Sequence, residues 1–133
     1  MNFERRPFRD FREALASDAP TPGGGTASAA AGAMGASLLT MVLALTLPKE
    51  KFAAVADELR PIAAEAERAA ERLEQLMNED AASFDAMVAA RRLPKESEDE
   101  KAARAAAMAG AALHAAQVPM ETARCAATLL SRV

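Results

Sequence analysis

Apolar residues recur through most of this chain at the three- and four-residue spacing of a helix, and no segment alternates apolar and polar positions as a strand does. The pattern predicts an all-α fold, a bundle of four to five helices with long central helices. The predicted helices cover residues 8–16, 26–47, 50–92 and 98–116, and a last segment continues to the end of the chain. Proline lacks a backbone donor and clashes with the preceding turn, so we expect Pro61 to kink or restart the third helix and Pro119 to kink or start the last segment.

The second predicted helix lies within a stretch, Ala19 to Pro48, that carries no charged residue. Its length would suit a membrane span. Ala, Gly, Ser and Thr fill most of it, however, and no positive cluster flanks it closely. We interpret it as the central helix of the bundle, buried on all sides and outside any membrane, with Gly32 and Gly35 allowing another helix to pack closely.

Length and charge narrow the class of protein. The 133 residues predict one domain, spanning residues 1–133. A net charge of −3 and the absence of Trp and Tyr argue against a nucleic-acid partner. The single cysteine, Cys125, excludes an internal disulfide and suits a reducing cytoplasm, where we expect the protein to reside. One His and one Cys do not make a zinc site, so we expect no metal.

Alanine dominates the composition, with 36 of 133 residues, and small side chains let helices approach closely. Two of the predicted helices are nearly uncharged, and the chain ends on the apolar residues Leu129, Leu130 and Val133. Such surfaces are hard to cover within a domain of this size. The sequence therefore predicts contacts between subunits rather than a monomer.

A proline- and glycine-rich turn, residues 17–26, separates the first two predicted helices. Its two prolines stiffen the backbone, and its three glycines allow positive φ and close approach by a ligand or another backbone. Thr26 is expected to cap the helix that follows. These features predict an anion-binding or substrate-binding turn at a helix N-terminus, and the alternative is a tight loop packed against a neighbouring helix.

The third predicted helix carries an apolar seam with one charged member, Asp80. The seam consists of Ala66, Ala69, Leu73, Met77, Asp80, Phe84 and Met87. A buried carboxyl must find hydrogen bonds or a cation or stay protonated, and burial favours its uncharged form, which suits proton exchange near neutrality. Asp80 is therefore a candidate acid–base residue. The alternative is a structural aspartate bonded to a helix N-terminus or to an arginine.

Three further features carry weaker signals. Arg91, Arg92 and Lys95 follow the seam, and they either complement the helix dipole or bind the anionic tail of a ligand. His114 stands among small residues and is interpreted as a core or interface histidine, with a cleft as the alternative. Ser97 and Glu100 have the spacing of a capping box, which predicts the start of the fourth helix.

Three segments, in the same order along the chain, resemble the cyclodeaminase/cyclohydrolase family. That family comprises the C-terminal domain of formiminotransferase-cyclodeaminase and bacterial methenyltetrahydrofolate cyclohydrolases. Residues 11–29, with their Pro-Thr-Pro-Gly-Gly-Gly-Thr run, look like the opening of the family's sequence. Residues 80–84 and 90–95 resemble an Asp-x-x-x-Phe segment leading to a Leu-Pro-Lys turn, and residues 98–104 lead into a similar alanine-rich helix.

The resemblance implies a soluble, all-helical homodimer that binds a tetrahydrofolate derivative. It implies cyclodeamination of 5-formiminotetrahydrofolate or hydrolysis of 5,10-methenyltetrahydrofolate, with Asp80 as acid and base and no cofactor beyond the folate substrate. The residues that it places beside the folate are Pro22, Gly23, Gly24, Gly25, Thr26 and Phe84. Arg91 and Lys95 would pair with the glutamate tail.

One departure from the family's pattern opens an alternative. Family members usually continue some tens of residues past the position of Val133, so we expect this chain to lack the C-terminal part of the domain. A short form could keep the fold and lose the activity. The competing hypothesis is a non-catalytic helical interaction protein, in which Asp80 anchors an interface and the glycine turn serves packing alone.

Overall fold

The computed structural model describes Phe3 and residues 5–132, so Val133 of the predicted apolar C-terminal end lies outside the described residues. The elements in chain order are α1 (Phe8–Leu15), α2 (Gly24–Thr46), a 3-10 helix (Glu50–Val55), α3 (Ala56–Arg91) and α4 (Glu98–Leu130). No β-strand occurs in this part of the chain. The predicted all-α class with long central helices is confirmed.

The bundle is built by α2 and α4 packing against α3, with a smaller contact between α2 and α4. Small side chains allow the helices to pack closely against each other. Ala29, Ala33 and Ala36 of α2 are buried, as is Ala66 of α3. A methyl group added at Gly32 would lie 3.2 Å from a Leu73 methyl carbon, so a larger residue there would have to displace the Leu73 side chain. Close approach by another helix is confirmed at Gly32 and is wrong at Gly35 for the chain by itself, where nothing lies within 4 Å of an added methyl group.

Two clusters of buried side chains form the core. The larger cluster joins the N-terminal segment to all three long helices and contains Phe3, Phe11, Ala29, Ala33, Leu73, Leu76, Met77, Ala81 and Val118. The smaller cluster lies further along the bundle and contains Ala36, Ala66 and Leu129. Five of these twelve side chains are alanines, which let the helices approach closely around the larger Phe, Leu and Met side chains that bury most of the apolar surface.

Both prolines that were expected to interrupt helices lie inside them. Pro61 stands in the second turn of α3, which begins earlier, at Ala56, after the separate 3-10 helix. Pro119 lies inside α4, which is one continuous helix from Glu98 to Leu130. The possibility that either proline starts a new helix is therefore wrong. Around Pro119, burial of Val118 and Thr122 favours continuation of the helix.

The start of α4 is fixed by the predicted capping box. The Glu100 backbone N–H donates to Ser97 Oγ at 3.1 Å, and the Ser97 backbone N–H donates to a Glu100 carboxylate oxygen at 3.0 Å. These reciprocal bonds satisfy two donors that a helix terminus leaves without intrahelical partners. The capping box is confirmed, and it separates the loop after α3 from α4.

The outward face of α2 differs from the expectation of a helix buried on all sides. Five large apolar side chains on this face are each at least 50% exposed: Met34, Leu38, Met41, Val42 and Leu45. In the 23-residue helix, an 18-residue window has a mean hydropathy of 1.7 and is 22% buried, so by length and composition alone the helix could cross a membrane. The expectation of complete burial is wrong for this chain by itself, since only one face of α2 packs on the bundle.

Candidate active site

The glycine turn delivers the N-terminus of α2 to the side of α3. Gly23 occupies the N-cap position in an extended conformation, and no side chain caps this terminus. Thr26 is the third residue of the helix, so its predicted capping role is wrong. No described glycine has a positive φ, so the expected use of the left-handed region is also wrong. Of the three glycines, only Gly25 lacks space for a side chain, since an added methyl group would meet nothing within 4 Å at Gly24 and a single atom at 3.8 Å at Gly23.

Asp80 of α3 meets this helix terminus. The Thr26 hydroxyl donates to Asp80 Oδ2 at 2.8 Å, and the Thr26 side chain is fully buried while Asp80 is half-buried. A methyl group added at Gly25 would overlap the Asp80 carboxyl group, so only glycine fits between this carboxyl and the α2 backbone. The glycine turn and the charged seam residue, 54 positions apart, are thus parts of one site.

A pocket of about 200 Å³ opens beside Asp80. It is lined by Pro20, Thr21, Gly23, Gly24, Asp80, Ser83, Phe84 and Ala115. Three parts of the chain therefore meet at the pocket: the glycine turn with the first residue of α2, one face of α3 and the middle of α4. Among these described lining residues, Asp80 supplies the only charged side chain, so the pocket suits a small ligand group that is cationic or exchanges protons.

The negative charge of Asp80 changes the interpretation of the turn. Helix N-termini attract anions through their free N–H groups and their dipole. Here the Asp80 carboxyl itself lies against the first turn of α2, where it disfavours a second anion in the same place. The geometry therefore favours the substrate-binding interpretation over the anion-binding one.

The interpretations of Asp80 as a structural aspartate and as an acid–base residue are both compatible with its position. Its bond to Thr26 at the start of α2 is the structural role, and its position on the pocket wall is the chemical one. One oxygen, Oδ2, is engaged by Thr26. Within Phe3 and residues 5–132, every buried side-chain N or O atom has a partner, and no hydrogen bond to Oδ1 is found. A methyl group added at Gly25 would meet Oδ1 first, so this oxygen lies against the α2 backbone.

The structure brings some of the predicted site residues together and leaves others apart. Gly23, Gly24, Asp80 and Phe84 line the pocket. Pro22 is buried, whereas Gly25 and Thr26 lie behind the Asp80 carboxyl and do not line the pocket. These three residues therefore support the site from within the protein.

The two predicted basic residues lie outside the pocket. Arg91 is the last residue of α3, Lys95 belongs to the loop that follows, and both are exposed. Seven residues of helix separate Phe84 from Arg91, a rise of about 10 Å along α3. The structure does not place these charges beside Asp80, so their part in binding stays a prediction. His114 is likewise exposed on α4, so a core position for it is wrong for the chain by itself.

Four residues that line the pocket were not among the predicted site residues. Pro20 and Thr21 belong to the turn but carry no chemistry that singles them out. Ser83 is 3% exposed, and its hydroxyl donates to the Asp80 carbonyl oxygen at 2.7 Å. Its three-residue spacing from Asp80 on one helix could have indicated a shared face. Ala115 gives no signal, because it is one alanine among many in α4.

The groups with shifted pKa values lie elsewhere, where α3 meets α4. Arg72 pairs with Glu79 at 2.6 Å and with Glu121 at 2.7 Å. The hydrogen bond from Arg72 holds the pKa of Glu121 below its usual value of 4.5, and these acidic partners raise the pKa of Arg72. Burial raises the pKa of the neighbouring Cys125 thiol. None of these residues lines the pocket beside Asp80.

Among the described residues, no group of three or more His, Cys, Asp or Glu side chains could hold a metal ion. A second cavity, of about 760 Å³, is a mainly apolar groove beside α1 and α2, bounded by Phe8, Leu15, Met34, Leu38 and Met41 among others. Asp80 does not line it. The small pocket and the groove are therefore separate features of α2.

Comparisons with known proteins identify the family of the chain. The sequence pattern of the formiminotransferase-cyclodeaminase family matches residues 7–133. The chain belongs to this family. The resemblance found in residues 11–29 and in the later segments is thereby confirmed at the level of the family.

Relatives within the formiminotransferase-cyclodeaminase family include proteins of two names. The chain is 43% identical over 114 residues to a methenyltetrahydrofolate cyclohydrolase of Methylorubrum extorquens, covering 86% of this chain and 55% of that protein. It is 33% identical over 124 residues to a formimidoyltransferase-cyclodeaminase of Sus scrofa, covering 93% and 23%, respectively. The chain thus spans about half the length of the bacterial relative and less than a quarter of the mammalian one.

Proposed function

We propose that this protein is a folate one-carbon enzyme that binds the reacting end of a tetrahydrofolate derivative in the pocket beside Asp80. The observation that carries the proposal is a half-buried carboxyl, held on one oxygen by Thr26, on the wall of an otherwise uncharged pocket. Ligand sites for whole drug-sized molecules measure about 300–1,000 Å³, so a pocket of about 200 Å³ suits only the reacting end of the folate.

The favoured reaction is hydrolysis of 5,10-methenyltetrahydrofolate. The methenyl bridge is a cation, so the Asp80 carboxylate stabilises it by charge. A water oxygen bonds to the methenyl carbon while Asp80 takes a proton from that water. The carbon–N5 bond then breaks as N5 takes up that proton from Asp80, the hydroxyl on the carbon loses its remaining proton to solvent and becomes the formyl C=O, and 10-formyltetrahydrofolate leaves. The 43% identity to a protein named methenyltetrahydrofolate cyclohydrolase supports this choice.

The second candidate is cyclodeamination of 5-formiminotetrahydrofolate, supported by the relatives named formimidoyltransferase-cyclodeaminase. Here N10 bonds to the carbon of the protonated formimino group carried on N5, the C=N bond to the imino nitrogen becomes single so that this nitrogen is an amino group, and Asp80 takes the proton from N10. Asp80 then returns a proton to the amino group, the carbon–nitrogen bond to that group breaks, and ammonia leaves the 5,10-methenyl product. Both reactions use proton transfer and orientation, so we propose no cofactor beyond the folate substrate.

The lining residues suggest how the substrate is held. Phe84 is 37% exposed and stands four residues after Asp80, where its ring can pack against the flat pterin. Gly23 and Gly24 leave the opposite wall bare, so a ring can approach the backbone closely. Arg91 and Lys95 remain the proposed partners of the glutamate tail, which would have to extend out of the pocket along α3.

We also propose that the protein is a homodimer formed through α2. Met34, Leu38, Met41 and Leu45, here called the α2 seam, follow each other at the four-, three- and four-residue spacing of a helix-pairing stripe. Each is at least 50% exposed, and the first three also line the apolar groove beside α1. A second copy presents the same seam and can bury both at once, as a two-fold interface requires.

The test follows the absorbance of 5,10-methenyltetrahydrofolate with the wild-type protein, with Asp80→Asn and with no protein. We expect faster loss with the wild type, and a fall of at least about a hundredfold in the Asp80→Asn rate because the proton acceptor is gone. Asp85→Asn, an exposed aspartate on the same helix, is the matched control and keeps wild-type turnover. Decay that is equal with and without protein would remove the cyclohydrolase proposal.

Ammonia release from 5-formiminotetrahydrofolate decides the second candidate with the same three proteins. A ligand that binds the folded state raises the melting temperature. If neither reaction is catalysed and no folate shifts the melting temperature of the wild type, the non-catalytic interaction protein becomes the better hypothesis.

A further inference from the structure

Thr26 uses its hydroxyl differently from three other threonines of the long helices. Thr40, Thr46 and Thr122 each donate to the backbone carbonyl four residues earlier, the usual choice of a helical threonine. Thr26 is the third residue of α2, so the position four residues earlier, Pro22, lies outside the helix. The hydroxyl of Thr26 instead crosses to α3 and donates to Asp80 Oδ2 at 2.8 Å.

Gly25 closes the other side of the same carboxyl. A methyl group at this position would stand 2.6 Å from Asp80 Cγ, well inside van der Waals contact. The carboxyl is therefore confined between the α2 backbone and the Thr26 hydroxyl. Since Thr26 is 0% exposed and does not line the pocket, no substrate can touch it.

We propose that Thr26 is a positioning residue for the reaction: its hydroxyl engages Oδ2 of Asp80 and fixes the orientation in which this carboxyl exchanges a proton with the substrate. The inference rests on the function proposed above and assigns Thr26 a role behind the carboxyl rather than in substrate contact. A carboxyl that can rotate presents either oxygen and loses the alignment that proton transfer needs. Small misplacements of about 1 Å in a catalytic group cost about a hundredfold in rate.

The role predicts a specific kinetic pattern for Thr26→Val, which keeps the shape of the side chain and removes the hydroxyl. Turnover number should fall by about ten- to a hundredfold, because Asp80 loses its alignment. KM should stay within about twofold, because binding does not involve Thr26. Thr26→Ser restores the hydroxyl and should recover the turnover number to within about threefold of the wild type.

Two controls separate positioning from a general structural effect. Thr122→Val removes a second buried hydroxyl that bonds only within α4, and it should keep kcat within about twofold. In the Asp80→Asn background, Thr26→Val should produce no further loss, because a residue that acts through Asp80 has nothing left to position. Circular dichroism and melting temperature report folding for every variant, and Thr26→Ala replaces Thr26→Val if the valine variant does not fold.

The possible results are distinct. Wild-type kcat in Thr26→Val, a change in KM alone, or a Thr26→Ser variant as impaired as Thr26→Val would each overturn the positioning role while leaving the proposed reaction in place. Absence of turnover in the wild type with both folate substrates would instead count against the proposed function, and the positioning role would fall with it.

Discussion

The two ends of α2 meet the rest of the protein in opposite ways. At the N-terminal end, Thr26 is fully buried, and its polar contact to Asp80 is made within one chain. Towards the C-terminal end, the α2 seam points outward and leaves Leu38 and Leu45 about three-fifths exposed, at 58% and 60%. The sequence shows no charged residue anywhere in the helix, so its composition hides this difference.

The comparison shows that one copy of the chain satisfies the buried polar groups at Asp80 but leaves apolar surface exposed on α2. Unpaired buried polar groups are costly, and here the buried hydroxyl and the carboxyl satisfy each other. Exposed apolar surface can instead be covered later, by a second molecule. The contact between Thr26 and Asp80 therefore lies within one copy, whereas the outward face of α2 stays exposed there.

The largest expected effect comes from placing a charge in the α2 seam. Leu38→Glu should dissociate the proposed dimer, because each copy would bury an unpaired carboxylate at a cost of at least about 2 kcal/mol. Because a dimer would hold two such carboxylates, the dimer Kd should rise by roughly a thousandfold. Sedimentation at micromolar concentration should find a dimer for the wild type and a monomer for Leu38→Glu.

Val55→Glu is the matched control, since Val55 is also an exposed apolar residue but lies in the 3-10 helix outside the seam. It should remain dimeric. A wild type that sediments as a monomer, or that partitions into lipid vesicles instead of pairing, would contradict the idea that a second copy covers α2.

At the other end of α2, Gly25→Ala should cost the most activity. The added methyl group overlaps the Asp80 carboxyl, so the carboxyl must move away from the helix terminus and from Thr26. We expect kcat/KM to fall by about a hundredfold, the scale of a displacement near 1 Å. Gly110→Ala provides the control, because nothing lies within 4 Å of its added methyl group, and its activity should match that of the wild type.

Much of this site could be predicted because its residues break a local pattern. Asp80 is a carboxylate at a position where the seam of α3 calls for an apolar side chain, and the triple glycine indicates a close approach. The long helices could also be predicted from local signals, because the buried residues of a helix repeat every three or four positions. These signals are local, so one sequence suffices to see them.

The remainder could not be predicted because it depends on contacts across the fold. Threonine often caps helices, and Thr26 stands at the start of the predicted second helix. Its hydroxyl meets Asp80 only because α2 packs on α3. An apolar helix such as α2 has the same sequence whether its own chain or another one covers it. Ala115 is one of many alanines in α4, and its place on the pocket wall follows from how that helix packs.

Ala115 tests whether α4 is a true wall of the pocket. Ala115→Leu adds three carbons to a pocket of about 200 Å³, and overpacking of this kind costs about 1–3 kcal/mol. We expect KM to rise by about tenfold or more, since 1.4 kcal/mol corresponds to a factor of ten. Steady-state kinetics measure the change, and Ala116→Leu, at an exposed neighbouring position outside the pocket, should leave KM unchanged. Equal KM values for the two variants would exclude α4 from the site.

The smallest effect is expected at the ion cluster where α3 meets α4, which belongs to neither end of α2. Glu121→Gln removes one of the two carboxylates that pair with Arg72, and because both side chains are partly solvated, the free energy of unfolding should fall by no more than about 1 kcal/mol at pH 7. The pKa of Glu121 is lowered in the folded protein, so this contribution is fully present above its usual pKa of 4.5 and disappears as the pH falls through the lowered value.

Urea unfolding of the wild type and Glu121→Gln at several pH values measures this difference directly. The two curves should differ at pH 7 and converge in acid, and added salt should narrow the gap at pH 7. Glu67→Gln, at an exposed position on α3, should unfold like the wild type throughout. The Glu121→Gln variant should also keep wild-type kcat, because its ion pair lies outside the pocket. A lowered kcat would show that the Asp80 site depends on the α3–α4 contact as well as on the start of α2.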